Sequence, residues 1–150
     1  MKVLFLDIDG VLNSTRSCAA FDGYPLGITE EDLKKFDWVA VKLIQRLCDE
    51  TGARIVLSST WRLTVPFKDL AKALDLPIID KTPVAFGRGR RGYEVSMWLA
   101  EHEEVVDKYA IVDDLDEFVE EQQEFFVQTD PSIGLSYLNF LKLKLELGKE

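Results

Sequence analysis

Val3-Leu4-Phe5-Leu6-Asp7-Ile8-Asp9-Gly10-Val11-Leu12-Asn13 is the stretch on which the reading of this chain turns. Four apolar residues run into two carboxylates and a glycine. Continuous apolarity suits a strand covered on both faces, as in a parallel sheet. Side chains two apart on a strand point the same way, so Asp7 and Asp9 are expected to converge at the strand's C-terminal end, with Gly10 letting the chain turn away. In open α/β sheets ligands bind at that end. Two carboxylates about 4 Å apart repel by roughly 4 kcal/mol at an effective dielectric of ~20. A cation between them, or a proton on one of them, is therefore expected.

Outward from this stretch, similar short apolar runs recur: Ile55-Val56-Leu57, Pro77-Ile78-Ile79, Tyr109-Ala110-Ile111-Val112 and Phe125-Phe126-Val127. Amphipathic segments lie between them. Asp37 is placed to N-cap a helix from Trp38 to about Thr51 that Gly52 stops. Pro66 to about Leu74 reads as a helix with proline in its first turn. Gly92 to about Glu103 carries Val95, Trp98 and Leu99 at helical spacing. A last helix is predicted from about Ser136 to Leu147, docking Leu138, Phe140, Leu141 and Leu145 on the sheet. The alternation predicts a three-layer, Rossmann-like α/β fold with a central, mostly parallel sheet, the chain forming one domain over residues 1–150. Residues 13–36 break the alternation. They hold Gly23-Tyr24-Pro25-Leu26-Gly27 and a capping-box signal at Thr29 and Asp32, and are expected to form a small flap over the first carboxylates.

Composition narrows the setting. With 150 residues, 47% of them hydrophobic and 30% charged, the chain can build one sizeable core. No apolar stretch reaches the ~18–20 residues of a membrane span. The start has one positive charge and meets acid at once, so no signal peptide is read there and a cytoplasmic location is expected. Cys18 and Cys48 lack metal-ligand spacing. A disulfide stays open, free thiols being the simpler reading. A net charge of −9 disfavours non-specific nucleic-acid binding and leaves room for a local positive site.

Further strand ends carry polar groups. Ile55-Val56-Leu57 runs into Ser58-Ser59-Thr60-Trp61-Arg62, Ile111-Val112 runs into Asp113-Asp114, and Gly87-Arg88-Gly89-Arg90-Arg91-Gly92 opens a helix with concentrated positive charge. Carboxylates suit a hard divalent cation; hydroxyls, backbone N–H groups and guanidinium groups suit a phosphate. Together they suit metal-assisted phosphoryl transfer with an Asp nucleophile. Blander readings exist for each. Asp-x-Asp-Gly lacks the later ligands of an EF-hand loop, since Val11 and Leu12 follow. Gly87-x-Gly89-x-x-Gly92 matches a dinucleotide fingerprint in letters, but no strong strand precedes it closely. Ser58-Ser59-Thr60 also suits a helix N-cap, and the tryptophans suit packing.

In this order the motifs resemble the haloacid dehalogenase-like (HAD) phosphohydrolase superfamily, over roughly Lys2 to Gly134. Leu-Ser-Ser-Thr-Trp-Arg, Arg-Gly-Tyr-Glu-Val, Ile-Val-Asp-Asp and Val-Gln-Thr-Asp-Pro look like the small-cap branch that includes phage proteins and the HAD domain of Swiss-army-knife RNA repair proteins. The resemblance implies a Mg²⁺-dependent phosphomonoester phosphatase. Asp7 would be the nucleophile, Asp9 the acid and base, and Ser58 a hydrogen-bond donor to the phosphoryl group; Arg88, Arg90, Arg91, Lys81 and Lys108 are open to replace the usual Lys, with Arg91 favoured for its place at a helix start. Mg²⁺ would be held by Asp7, Asp113, Asp114 and Asp9, the last through its main-chain carbonyl. Ser59, Arg62, Arg88 and Arg90 are expected on the substrate, a phosphorylated small molecule or a nucleic-acid end. No membrane partner is expected, and oligomerisation is left open. Val11 stands where the superfamily often has Thr, and the usual third-motif Lys is not at its place. Both departures motivate the alternative of a catalytically weak module that binds a phosphorylated nucleotide or partner.

Overall fold

A computed structural model describes residues 1–148. Five parallel strands form one sheet in the order β3-β2-β1-β4-β5, comprising β1 (Lys2–Leu6), β2 (Arg54–Leu57), β3 (Ile78–Lys81), β4 (Lys108–Asp113) and β5 (Phe126–Gln128). Helices α1 (Thr15–Phe21), α2 (Glu30–Leu33), α3 (Trp38–Thr51), α4 (Phe67–Leu74), α5 (Arg90–Glu101) and α6 (Tyr137–Gly148) join and cover the strands. The Rossmann-like α/β architecture expected from the alternation is the one observed.

Strand alternation divides the core in two. Leu4, Leu6, Ile55, Leu57, Ala110 and Val112 face one layer, where they meet Ala40, Val41, Ile44 and Leu47 of α3 and Phe140, Leu143 and Leu147 of α6. Val3, Phe5, Val56 and Ile111 face the other and meet Val95 and Trp98 of α5. Phe5 lies edge-on to Trp98, ring centroids 5.5 Å apart, an arrangement aromatic quadrupoles favour.

The caps explain the helix boundaries. Asp37 accepts hydrogen bonds from the Val39 and Ala40 amides, and Gly52, at φ 77°, ends α3 in the left-handed conformation. Thr29 and Asp32 form the reciprocal capping box of α2. Helix α1 has a capping box of Ser14 and Ser17, a pairing that lacks the Glu or Gln of the usual signature and so left no sequence signal.

Helix α6 corrects one expectation. Of the four residues assigned to its docking face only Phe140 is buried; Leu138, Leu141 and Leu145 are exposed. The helix carries two apolar stripes of equal spacing, and Phe140, Leu143 and Leu147 form the inward one. Asn139 settles the rotation: its side chain accepts from the Ser136 amide and hydroxyl and donates to the Gln128 carbonyl, anchoring the helix start to the end of β5.

Candidate active site at the carboxyl edge of the sheet

Three strand ends lie level because the register makes them so. Leu6 pairs with Leu57 on one side and with Val112 on the other. The next residues are Asp7, Ser58 and Asp113. The Ser58 amide donates to Leu6 O (2.8 Å) and the Asp7 amide to Val112 O (3.1 Å), carrying the pairing one step past the strands. By alternation all three belong to the layer of Phe5, Val56 and Ile111, the one that α5 covers.

Asp7, Asp113 and Asp114 each offer a carboxylate oxygen within 4.8 Å of the others, and the first two are buried. Burial pushes the Asp7 carboxyl well above the ordinary range, and the Asp113 charge adds to this; the Arg91 charge opposes it. Asp113 is pushed up to about 7, again chiefly by burial, against a stabilising hydrogen bond from the Leu115 amide. Both shifts mark carboxyls held out of water, with their neighbours' charges as the lesser cause. An all-oxygen donor set under mutual repulsion fits a hard divalent cation.

The carboxylate of Asp9 does not join this cluster. β1 ends at Leu6, so the i, i+2 rule no longer governs the turn that follows. Gly10 takes φ 81° there, and a Cβ on it would lie 2.5 Å from Asp114 Oδ2. The position therefore needs glycine twice over, for its backbone and for the contact. Asp9 is exposed and its Oδ1 accepts from Asn13 Nδ2 (2.9 Å) and Trp61 Nε1 (3.1 Å). Asn13 in turn accepts from the Gly10 amide, and Thr129 donates to the Gly10 carbonyl (2.7 Å). The turn is braced from the far end of the chain: Leu135 N donates to Val11 O, and Gly134 packs where a Cβ would come within 3.0 Å of that same oxygen.

The two serines after β2 separate by role. Ser59 caps the short 3-10 helix Thr60–Leu63 by accepting from the Trp61 amide, the bland reading of the motif. The Ser58 hydroxyl is buried and has no hydrogen-bond partner among the described residues.

The arginines separate as well. Arg91 stands in the first turn of α5 and donates from Nη1 to Glu94 Oε1 (3.3 Å). Arg62 donates to the carbonyls of Ser59, Thr82 and Pro83 and, at 2.7 Å, to Glu94 Oε2. Four of its five N–H groups are thereby used on protein, so it clamps the β2–β3 edge and holds Glu94 between two cations. Arg88 and Arg90 are exposed; Arg88 borders a different recess, with Tyr93 and Phe118.

An open cleft of about 660 Å³ adjoins the acids, bordered by Asp9 and Asp114, by Tyr24 and Leu26 of the segment expected as a flap, and by Trp61 and Leu63. Asn13, Trp61, Glu94 and Thr129 escaped the sequence reading as site residues. Spacing signals existed for two of them: Asn13 is four residues after Asp9, and Glu94 is one helical turn after Arg91.

No curated protein and no solved structure gives a significant match to the chain. One family does, over residues 3–139, and its description is the HAD domain in Swiss Army Knife RNA repair proteins. The matched span takes in the Asp7 turn, both serines, the α5 arginines, the Asp113-Asp114 pair and the Thr129–Leu135 brace: the chain belongs to this family of HAD domains.

Proposed function

We propose that the chain is a Mg²⁺-dependent phosphomonoester hydrolase working through an aspartyl-phosphate. The observation that supports this best is the convergence of Asp7, Asp113 and Asp114 beside the unpartnered Ser58 hydroxyl, with Arg91 near enough for its charge to favour ionised Asp7. Asp7, Asp113 and Asp114, with the Asp9 carbonyl, would hold the ion. Magnesium bound there would neutralise the acids and draw charge from the phosphoryl oxygens.

In this reading an Asp7 oxygen attacks phosphorus while the ester oxygen leaves with a proton from Asp9, giving an aspartyl phosphate and a free alcohol. Water then attacks the same phosphorus, its proton passing to Asp9, and the Asp7–phosphorus bond breaks to release phosphate. The hydrogen bonds from Asn13 and Trp61 would fix the orientation of the Asp9 carboxylate for this proton transfer. Ser58 and Arg91 meet the non-bridging oxygens, Arg91 with N–H groups that Glu94 leaves free. The family's description, RNA repair, makes phosphorylated nucleic-acid ends substrates to try first, and we add phosphorylated nucleotides as the small molecules that carry the same ester.

Phosphate release from p-nitrophenyl phosphate with Mg²⁺ tests the reading. It is expected to depend on Mg²⁺ and to vanish in Asp7→Asn. Tight binding of a phosphorylated ligand without turnover, retained in Asp7→Asn, would instead establish the binding module.

A further inference from the structure

The cleft beside Asp9 says more about the substrate than the phosphate-binding groups do. In the hydrolase reading, on which this inference rests, the departing oxygen takes its proton from Asp9, so the leaving group lies in the space that Asp9 borders. That space is the cleft of about 660 Å³, within the size range of pockets that enclose whole small ligands. Neither Ser58 nor Arg91 borders it, so the phosphoryl group and the remainder of the substrate are divided between two walls.

Two features of the cleft select its occupant. The first is charge. Its only ionisable carboxylates are Asp9 and Asp114, and no Lys or Arg borders it among the described residues. The basic loop of Arg88 and Arg90 lies at the start of α5 and contributes nothing to this cleft. A strand continuing through it would bring its further phosphates to a wall with no Lys or Arg to receive them, the reverse of what a nucleic-acid groove provides. The second is apolarity with flat surfaces. Leu26 is 87% exposed, Leu63 61% and Tyr24 42%, and all three border the cleft together with Trp61. Large apolar side chains left open around a polar site mark a surface meant to be covered.

We propose that the cleft receives an uncharged, ring-bearing alcohol of about nucleoside size, so that the preferred substrate is a nucleoside monophosphate and not the phosphorylated end of a polynucleotide. Tyr24, Leu26 and Leu63 are its specificity residues, covering the ring system while Asp9 protonates its oxygen.

The test compares kcat/KM, with Mg²⁺, for nucleoside 3′- and 5′-monophosphates, a nucleoside 3′,5′-bisphosphate, 3′- and 5′-phosphorylated oligonucleotides, and glycerol phosphate as a small acyclic ester. Monophosphates are expected to exceed the bisphosphate and the oligonucleotides by on the order of tenfold or more. Leu63→Lys is expected to narrow that gap several-fold by placing a cation on the lip. Leu26→Ala with Tyr24→Ala is expected to lower the ratio of nucleoside monophosphate to glycerol phosphate by roughly tenfold. All three positions are exposed, so folding is not at stake. Oligonucleotides turned over as well as or better than monophosphates, or ratios indifferent to these substitutions, would overturn the inference while leaving the hydrolase reading intact. Failure to hydrolyse even p-nitrophenyl phosphate would sink the hydrolase reading itself, and this inference with it.

Discussion

Replacing Ser58 by alanine separates a hydroxyl kept for chemistry from one kept for folding. The residue is 1% exposed and its Oγ has no partner among the described residues. A buried hydroxyl without a hydrogen bond costs about 1–3 kcal/mol on mutational scales. Ser58→Ala removes that cost and leaves a gap of a single atom, so stability is expected to hold or to rise by up to about 1 kcal/mol. For a domain of this size that is a gain of about 2–4 °C in melting temperature per kcal/mol. In the proposed turnover the same hydroxyl would donate to an anionic phosphoryl oxygen, a charge-assisted bond of about 1.5–3 kcal/mol. Its loss is expected to lower kcat/KM by roughly 10- to 150-fold. Thermal or urea unfolding of the metal-free protein, beside steady-state kinetics on p-nitrophenyl phosphate, reads both quantities. A variant destabilised by more than about 1 kcal/mol with its turnover unchanged would refute the reasoning, because the hydroxyl would then be structural.

Three further outcomes follow from the charges. Asp113 titrates near 7 in the folded protein and near 3.9 when unfolded, so between those values the folded state holds a proton that the unfolded state has released. Asp7 is shifted in the same direction. The melting temperature in EDTA is therefore expected to fall as pH rises from about 4 to about 7; Mg²⁺ should restore more of it at pH 8 than at pH 5, and Asp113→Asn should flatten the slope. A metal-free profile that rises through this window would contradict the assignment. Glu94→Gln leaves Arg62 and Arg91 buried with no anion between them and is expected to cost about 3–5 kcal/mol in urea unfolding. The Cys48 thiol, buried and pushed up to about 12, should resist an aromatic disulfide reagent at pH 8 in the native protein and react once urea unfolds it, whereas the half-buried Cys18 reacts first.

Why some of this was legible and some not comes down to which interactions are local. The strands announced themselves because a parallel sheet buried on both faces demands consecutive apolar residues, and Val3–Leu6 and Tyr109–Val112 supply them. The polar residues placed directly after those runs then had to share one edge, which is why Asp7, Ser58 and Asp113 could be gathered from the sequence. Asp9 was misplaced by extending strand alternation past Leu6, into a turn that Gly10 and Asn13 shape instead. The α6 stripe was misread because the helix is apolar on two faces, and the tie from Asn139 to Gln128 that chooses between them crosses from one element to another. Arg62 looked like a substrate ligand because four of its bonds lead to Ser59, Thr82, Pro83 and Glu94, three of them at least twenty residues away.

Charge balance ties the two walls of the site together. Arg62, Glu94 and Arg91 form a buried triad with one net positive charge, and the Arg91 charge acts on Asp7 of the cluster of three carboxylates. Burial is the chief cause of the raised Asp7 and Asp113 carboxyls, the neighbouring carboxylates add to it, and the Arg91 charge offsets only part of the shift at Asp7. Protons can relieve the excess, but a protonated Asp7 is no nucleophile. In the proposed hydrolase a divalent cation would relieve it while leaving Asp7 ionised, so that a phosphate dianion could approach an attacking carboxylate. The cleft beyond Asp9 has no Lys or Arg on its lining among the described residues, and that is why, in the proposed reading, a leaving group without charge would suit it better than a chain of phosphates.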